Sequence, residues 1–325
     1  MTNIKNIKAP ILNEMKEFNV FFNSSMKTKV PLLNIITNYI LKTKGKQMRP
    51  MLVFLVAKSI NQEVNNSSNI AAGLIELLHT ATLVHDDVVD ESPIRRGFFS
   101  INALWKSKIS VLVGDYLLSK GLLLAIENNE QDLLKIVSVA VKEMSEGELL
   151  QIQKSRKLDI DEETYYKIIS KKTASLIAAC TACGAKSAKA DDNMIAKMHK
   201  FGELLGMAFQ IKDDLFDYQS NNNIGKPTAN DIKDQKLTLP IIYSLSKTDT
   251  KTRKKILSLL KKKEKENSEI KEIISFVKEN GGIEYSTKKM NTYKEDAMNH
   301  IKDLPQSKAK SALIELVDFV VDRKK

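Results

Sequence analysis

Glycine and proline are scarce in this sequence, with 12 and 7 among 325 residues, where average usage gives roughly 23 and 16. Tight turns and sheet edges need both residues and long helices avoid both, so sandwiches and barrels are disfavoured. Two cysteines cannot make a disulfide framework. The start, MTNIKNIKAP, lacks the apolar core of a signal peptide. No uninterrupted apolar run approaches the roughly 18 residues that span a bilayer. Aromatic residues make up 6% of the chain, too few to interleave with basic residues as base-stacking surfaces require. The length suffices for a substantial core. A reduced, cytoplasmic, mostly helical protein without stable membrane insertion is expected.

Charge is abundant. Fifty-one Lys and Arg face 40 Asp and Glu, a formal net charge of +11, which raises nucleic-acid binding as a rival function. Much of the excess lies in Lys251 to Lys265 and in Arg323 to Lys325. These stretches read as solvated helix faces or a frayed tail, so no nucleic-acid partner is expected.

Apolar residues recur at three- and four-residue spacing along most of the chain. Long apolar helices are expected over about 69–90 and 109–126, and further helices over 161–185, 194–218 and 238–246. Short polar breaks fall at 61–69, 91–97, 128–131 and 221–231. There is no sustained strand alternation, fixed repeat or linker. The expected architecture is all-α, a single domain over residues 1–325.

Two acidic triplets follow apolar stretches. In HDDVVDESPIRRG, Asp86 and Asp90 are four apart and share a helix face, with Asp87 turned aside but within reach of the same ion. In FQIKDDLFDY, Asp213, Asp214 and Asp217 repeat the pattern, and Gln210 extends the stripe. One such triplet is commonly a solvated face. Two, each set against apolar helix, crowd carboxylates that are poorly solvated when ionised and call for a cation. Hard divalent ions take oxygen ligands, and Mg²⁺ combines carboxylates with water and substrate phosphates. Zinc is disfavoured, because His79, His85, His199 and His300 make no zinc-type spacing with Cys180 or Cys183. Cys180 and Cys183 spell C-x-x-C inside an apolar helix and read as core packing. His85 is open between partnering an aspartate and plain helix packing.

A diphosphate ligand needs cations in special places. Lys46 and Arg49 lie in KGKQMRP, before an apolar helix. Arg95 and Arg96 follow the first triplet. Lys172 falls in the stripe Ile168, Ile169, Lys172, Leu176, Ala179, where a lone cation is costly unless paired. Lys226 and Lys236 flank Asp231 after the second triplet.

Taken together, GKQMRP, ELLHTATLVHDDVVDESPIRRG, KKTASL, FQIKDDLFDY and GKPTANDIKDQKLTLP, in this order over about residues 44–240, resemble the polyprenyl diphosphate synthases of the trans-isoprenyl diphosphate synthase family. The resemblance implies an isoprenoid synthase-type helical bundle around a central cavity, with the Asp-rich motifs facing each other, and a homodimer. It implies head-to-tail condensation of isopentenyl diphosphate onto an allylic diphosphate with Mg²⁺, three ions per active site. On the matching positions, Asp86, Asp87, Asp90, Asp213, Asp214 and Asp217 would bind metal. Arg95, Lys172, Thr173, Gln210, Lys226 and Lys236 would contact the allylic diphosphate or its ions. Lys46, Arg49, His79 and Arg96 would hold isopentenyl diphosphate. The residues expected to act in catalysis are Asp86, Asp87, Asp90, Arg95, Lys172, Asp213 and Lys236. Two positions depart from the family pattern: Lys44 and Ala229 stand where glycine is usual.

The implied reaction ionises the allylic carbon–oxygen bond, adds the isopentenyl double bond and loses a proton, with water kept out. Stepping back along the helix from Asp86, the stripe runs Leu83, Thr82 and His79, each four-residue step about 6 Å deeper. Family members with aromatic rings four and five residues before the motif stop early. Thr82 and Ala81 are small, so a medium- or long-chain product is expected, with Leu117, Leu122, Leu123 and Leu150 as floor candidates. A terpene cyclase would not need Lys46, Arg49 and Arg96, and a non-catalytic subunit would have eroded triplets.

Overall fold

The computed structural model describes residues 4–43, 45–155, 158–218 and 229–323. Apart from one small hairpin, regular structure among them is helical, as the periodicity predicts. The chain falls into two compact units: Met1–Val141 with Ala179–His199 and Asp303–Glu315, and Lys142–Ala178 with Lys200–Lys302 and Leu316–Lys325.

The first unit starts with helices α1 (Ile4–Lys8), α2 (Leu12–Ser25) and α3 (Pro31–Lys42). Next comes α4 (Met48–Asn61), whose residues from Pro50 through Ala57 are all buried. Helix α5 (Asn66–Val89) is capped by the Asn65 side chain, which accepts from the Ser68 N–H. Its run from Ile70 to Leu78, apolar but for Glu76, is buried on nearly every side. The expected loop after the first triplet contains strands β1 (Ile94–Arg95) and β2 (Phe98–Phe99), paired antiparallel. Their turn residues Arg96 and Gly97 both have positive φ, 53° and 82°, the backbone a two-residue hairpin turn needs. Two-residue strands leave no alternation for a sequence pattern to reveal.

Helix α6 (Ile101–Glu127) packs along α5. Gly114 makes the approach possible, because a Cβ there would lie 2.1 Å from His85 Nε2. Among the described residues α6 is the one helix long and apolar enough to cross a bilayer by length and composition, with mean hydropathy 1.7 over 18 residues, a third of them buried. Counting uninterrupted apolar runs missed it because serines, glycines, Asp115 and Lys120 punctuate the stretch. Helix α7 (Gln131–Ser155) follows, with Leu133 and Val137 in the core.

In the second unit, α8 (Glu162–Ile169) is capped by Asp161. It leads into a π-helical turn, Ser170–Ala174, and then α9 (Ser175–Ser187). One continuous helix was expected here. The wider turn inserts an extra residue per hydrogen bond and re-aims the side chains that follow, and this changes the surroundings of Lys172. Helix α10 (Asp192–Phe216) buries Leu204, Leu205, Ala208 and Ile211 in this unit. Beyond it lie α11 (Asn230–Lys233) and α12 (Leu239–Ser246). Then come α13 (Thr250–Lys261), α14 (Asn267–Glu279), α15 (Gly282–Ile301) and α16 (Lys308–Asp322). Tyr243 stacks on Tyr285 at 3.9 Å, and the Tyr285 hydroxyl donates to Glu162 at 2.6 Å. The lysines of α13 are mostly exposed, the solvated face expected of that basic run.

Candidate active site

In the first unit the acidic triplet ends α5. Asp86 is half-buried, Asp87 buried, and Asp90 exposed at the helix C-cap. Asp87 is engaged: Arg95 donates to its Oδ1 from Nε at 2.8 Å and from Nη2 at 2.6 Å. The hairpin thus folds Arg95 back onto the triplet. Asp87, Arg95 and Arg96 join Glu76, Thr80 and Leu83 around a cavity of about 60 Å³.

Next to it sit buried groups that lack partners. Arg49 Nε and His79 Nδ1 are shut off from solvent and find no hydrogen bond among the described residues. Burial pushes the Arg49 guanidinium down from its ordinary value, while neighbouring Glu76, buried in α5, works the other way. Burial, reinforced by Arg49, Arg96 and Arg95, holds His79 well below the usual imidazole range, so it is neutral. The Arg96 guanidinium lies against Gly45, where a Cβ would come within 2.8 Å of its Cζ. Lys46 is exposed on the preceding loop. His85 turns to α6, with Nε2 3.2 Å from the Val111 carbonyl and 3.5 Å from Oδ1 of Asp115, an aspartate outside the triplet. Ala81 is buried and Thr82 half-buried. Leu117 is buried, whereas Leu123 is 48% exposed.

In the second unit the π turn presents Lys172 and Thr173. Two glycines let helices close on it: a Cβ at Gly147 of α7 would sit 2.8 Å from the Lys172 nitrogen, and one at Gly206 of α10 would sit 2.5 Å from the Ala174 Cα. Lys172 is therefore not a lone cation on an apolar face. Its side chain is partly exposed, forms an ion pair with Glu148 and donates to Gln151 at 2.8 Å. Thr173 donates to Gln210 Oε1 at 2.8 Å, and Gln210 Nε2 donates to Asp214 Oδ1 at 2.9 Å. Asp214 also accepts from the Tyr165 hydroxyl at 2.6 Å. Burial pushes the Asp214 carboxyl up to about 8 and the Tyr165 hydroxyl well above its ordinary range. Asp217 is buried and accepts from the Asp231 N–H. Lys236 pairs with Asp234 at 3.3 Å and Asp231 at 3.7 Å. Lys226 and Lys44 lie outside the described residues.

Arg323 requires a correction. It is no frayed-tail cation. Its Nη2 lies 2.6 Å from Asp213 Oδ1, and its guanidinium stacks over Phe209 at 4.1 Å. Tyr165, Glu148 and Arg323 were missed by sequence reasoning. Asp213 and Arg323 stand 110 positions apart, and no local pattern marks such a pair.

The donors fit a hard divalent ion. Both triplets offer only carboxylate oxygens, and Asp214 is a buried acid short of positive charge. Among the described residues no three acidic, His or Cys side chains converge as a metal centre, and Arg95 and Arg323 occupy one carboxylate of each triplet.

The model of the polyprenyl synthetase family matches residues 30–277. A prenyl transferase from Cyanidium caldarium is 36% identical over 332 residues, covering 99% of this chain and 98% of that protein. The crystal structure of a decaprenyl diphosphate synthase from Rhodobacter capsulatus superposes with a TM-score of 0.92 at 30% identity, covering 98% of both chains. That of a Caulobacter crescentus polyprenyl synthase, complexed with calcium and isoprenyl diphosphate, does so with a TM-score of 0.90 at 28% identity, covering 100% of this chain and 99% of that one.

Proposed function

The chain belongs to the polyprenyl synthetase family, and from that premise we propose that residues 1–325 act as one catalytic domain that condenses isopentenyl diphosphate head-to-tail onto an allylic diphosphate, with magnesium. Prenyl transfer with chain elongation is the activity of this family. The finer assignment is a medium- or long-chain all-trans polyprenyl diphosphate as product, argued from the small Ala81 and Thr82.

The observation that carries this reading is the pair of buried, unpartnered polar atoms on Arg49 and His79. A buried guanidinium atom without an acceptor is costly. A phosphoryl oxygen in that position relieves the cost, and Lys46 and Arg96 add charge to hold isopentenyl diphosphate. Asp86, Asp87, Asp90, Asp213, Asp214 and Asp217 would hold magnesium, three ions per site by analogy with the family. When bound, magnesium supplies positive charge to the diphosphate leaving group. Arg95, Lys172, Thr173, Gln210, Lys226 and Lys236 hold the allylic diphosphate or its ions. Arg95, Lys172 and Lys236 stabilise the negative charge that grows as the carbon–oxygen bond breaks. The isopentenyl double bond then attacks the allylic carbon, and the released pyrophosphate accepts the proton. Releasing Arg95 from Asp87, and Arg323 from Asp213, frees those carboxylates.

A homodimer fits the exposed surface of α6 and the start of α7. Val111, Leu112, Leu123, Ile126 and Val139 are large, apolar and at least 42% exposed, a strip suited to a self-complementary interface. With its other side packed on α5, α6 serves in this reading as a core and interface helix of a cytoplasmic enzyme. It does not span a membrane.

The test is incubation with labelled isopentenyl diphosphate, farnesyl diphosphate and magnesium, followed by chain-length analysis. Elongated products that vanish with chelator are expected. Arg49→Met should raise KM for isopentenyl diphosphate about a hundredfold, the scale of a lost charged contact. Full activity in excess chelator, or an unchanged KM, overturns the assignment.

A further inference from the structure

The first unit also carries an apolar surface formed by segments that are rich in basic and poor in acidic residues. The hairpin exposes Ile94, Phe98 and Phe99, α3 exposes Leu32 and Ile35, and α6 begins with Leu104, all between 43 and 62% exposed. Contacts join the three elements. The Tyr39 hydroxyl donates to the Phe99 carbonyl at 2.7 Å, and its ring meets Trp105 edge-on at 5.5 Å. The α6 backbone leaves helical geometry at Lys106, with φ 69° and ψ 164°. That break sets Ile101–Trp105 apart from the long apolar strip farther along the helix.

No Asp or Glu occurs from residue 18 through 62 or from 92 through 114. Within those stretches lie Lys27, Lys29, Lys42, Lys46, Arg95, Arg96, Lys106 and Lys108. The acids nearest in sequence to the hairpin, Asp90 and Glu91, precede it. Protein interfaces are depleted in lysine, especially at their centres, so a lysine-bordered apolar face of this kind suits a protein partner poorly. It matches the interfacial zone of an anionic bilayer. There, aromatic and aliphatic side chains enter the headgroup boundary while lysines stay beside anionic lipid.

We propose that this face, formed by α3, the hairpin and the first turn of α6, docks the enzyme peripherally on an anionic phospholipid surface. Docking needs no spanning segment. The reading of the product as a polyprenyl diphosphate, itself an anionic amphiphile, gives the surface a use, but binding does not depend on it.

Flotation with vesicles of phosphatidylcholine, alone or mixed with phosphatidylglycerol, tests this on the full chain. Wild-type protein is expected to float only with the anionic vesicles, and less as salt rises. Two variants probe the face separately: Ile35→Ser with Phe98→Ser, and Lys106→Glu with Lys108→Glu, the second altering only exposed charges. Each should lower vesicle binding about tenfold or more while leaving condensation of soluble substrates intact. A failed condensation assay counts against the proposed function; a failed flotation counts against docking. No binding to anionic vesicles, equal binding to neutral ones, unchanged binding by both variants, or a halved sedimentation mass in the Ile35→Ser, Phe98→Ser protein would each overturn the proposal, the last by identifying the face as a subunit contact.

Discussion

Tyr165 donates its hydroxyl to Asp214 Oδ2 at 2.6 Å, and both side chains are buried. Together with Gln210 and Thr173 it forms a continuous hydrogen-bonded chain that fixes both oxygens of a proposed metal ligand. A ligand held on both oxygens enters the site already oriented.

Tyr165→Phe should therefore raise the magnesium concentration for half-maximal activity about tenfold. Leaving a buried acceptor short of one donor should also cost stability, on the order of 1–3 kcal/mol. Manganese binding followed by electron paramagnetic resonance reads the first effect without turnover. Unchanged manganese affinity would show that Tyr165 only packs.

Ala229 has φ 67° and ψ 35° and is 1% exposed. It stands where the resembling family commonly has glycine, and its left-handed backbone costs about 1–2 kcal/mol for a residue with a Cβ. Ala229→Gly removes that strain and loses one buried methyl, worth about 0.8 kcal/mol. A small net gain, under about 1 kcal/mol, is expected in the urea midpoint. A clear loss of stability would mean that the methyl's packing outweighs the strain.

The departure at Ala229 was visible in the sequence because the loop motif around it is specific, and its backbone cost follows from one dihedral angle. The acidic triplets were legible for a similar reason: helical spacing fixes which side chains share a turn. Arg323 and Tyr165 were not legible. Each reaches its aspartate from a distant part of the chain, 110 and 49 positions away, and a single sequence carries no trace of such pairing. The π turn at Ser170–Ala174 escaped as well, since one extra residue in a helix barely changes an apolar pattern read over several turns.

Cys180 is fully buried in α9, and burial pushes its thiol up to about 12. A folded-state value above the unfolded one means that the contribution to stability is complete below the unfolded value, near 9, and declines as pH rises toward 12. Near pH 10.5 the loss should be about 2 kcal/mol. Urea midpoints across alkaline pH should fall less steeply for Cys180→Ala than for wild type. Parallel curves would exclude the thiol as the cause. Alkylating reagents should leave Cys180 and Cys183 untouched until the chain unfolds.

Leu112 and Ile126 are 57% and 51% exposed on α6. If their strip joins two copies, placing charge on it desolvates carboxylates against an apolar partner. Leu112→Glu with Ile126→Glu should convert a dimer to monomers in sedimentation, while the circular dichroism of the helices is kept. A wild-type chain that sediments as a monomer, or a variant still dimeric, would place the interface elsewhere or remove it.

Ala81 lies one helical turn and one residue before Asp86, buried at 2% exposure, with Thr82 half-buried beside it. If the growing chain descends along this face of α5, a ring at position 81 stands in its path about 7.5 Å below the triplet. Ala81→Phe should then shorten the main product by several isoprene units while leaving the first condensation in place, read by chromatography of the dephosphorylated alcohols. Because a phenyl ring added to a packed position costs about 1–3 kcal/mol, Thr82→Phe, at the more open neighbouring position, provides a second reading. Product lengths unchanged in both variants, with activity retained, would show that the chain grows along another face.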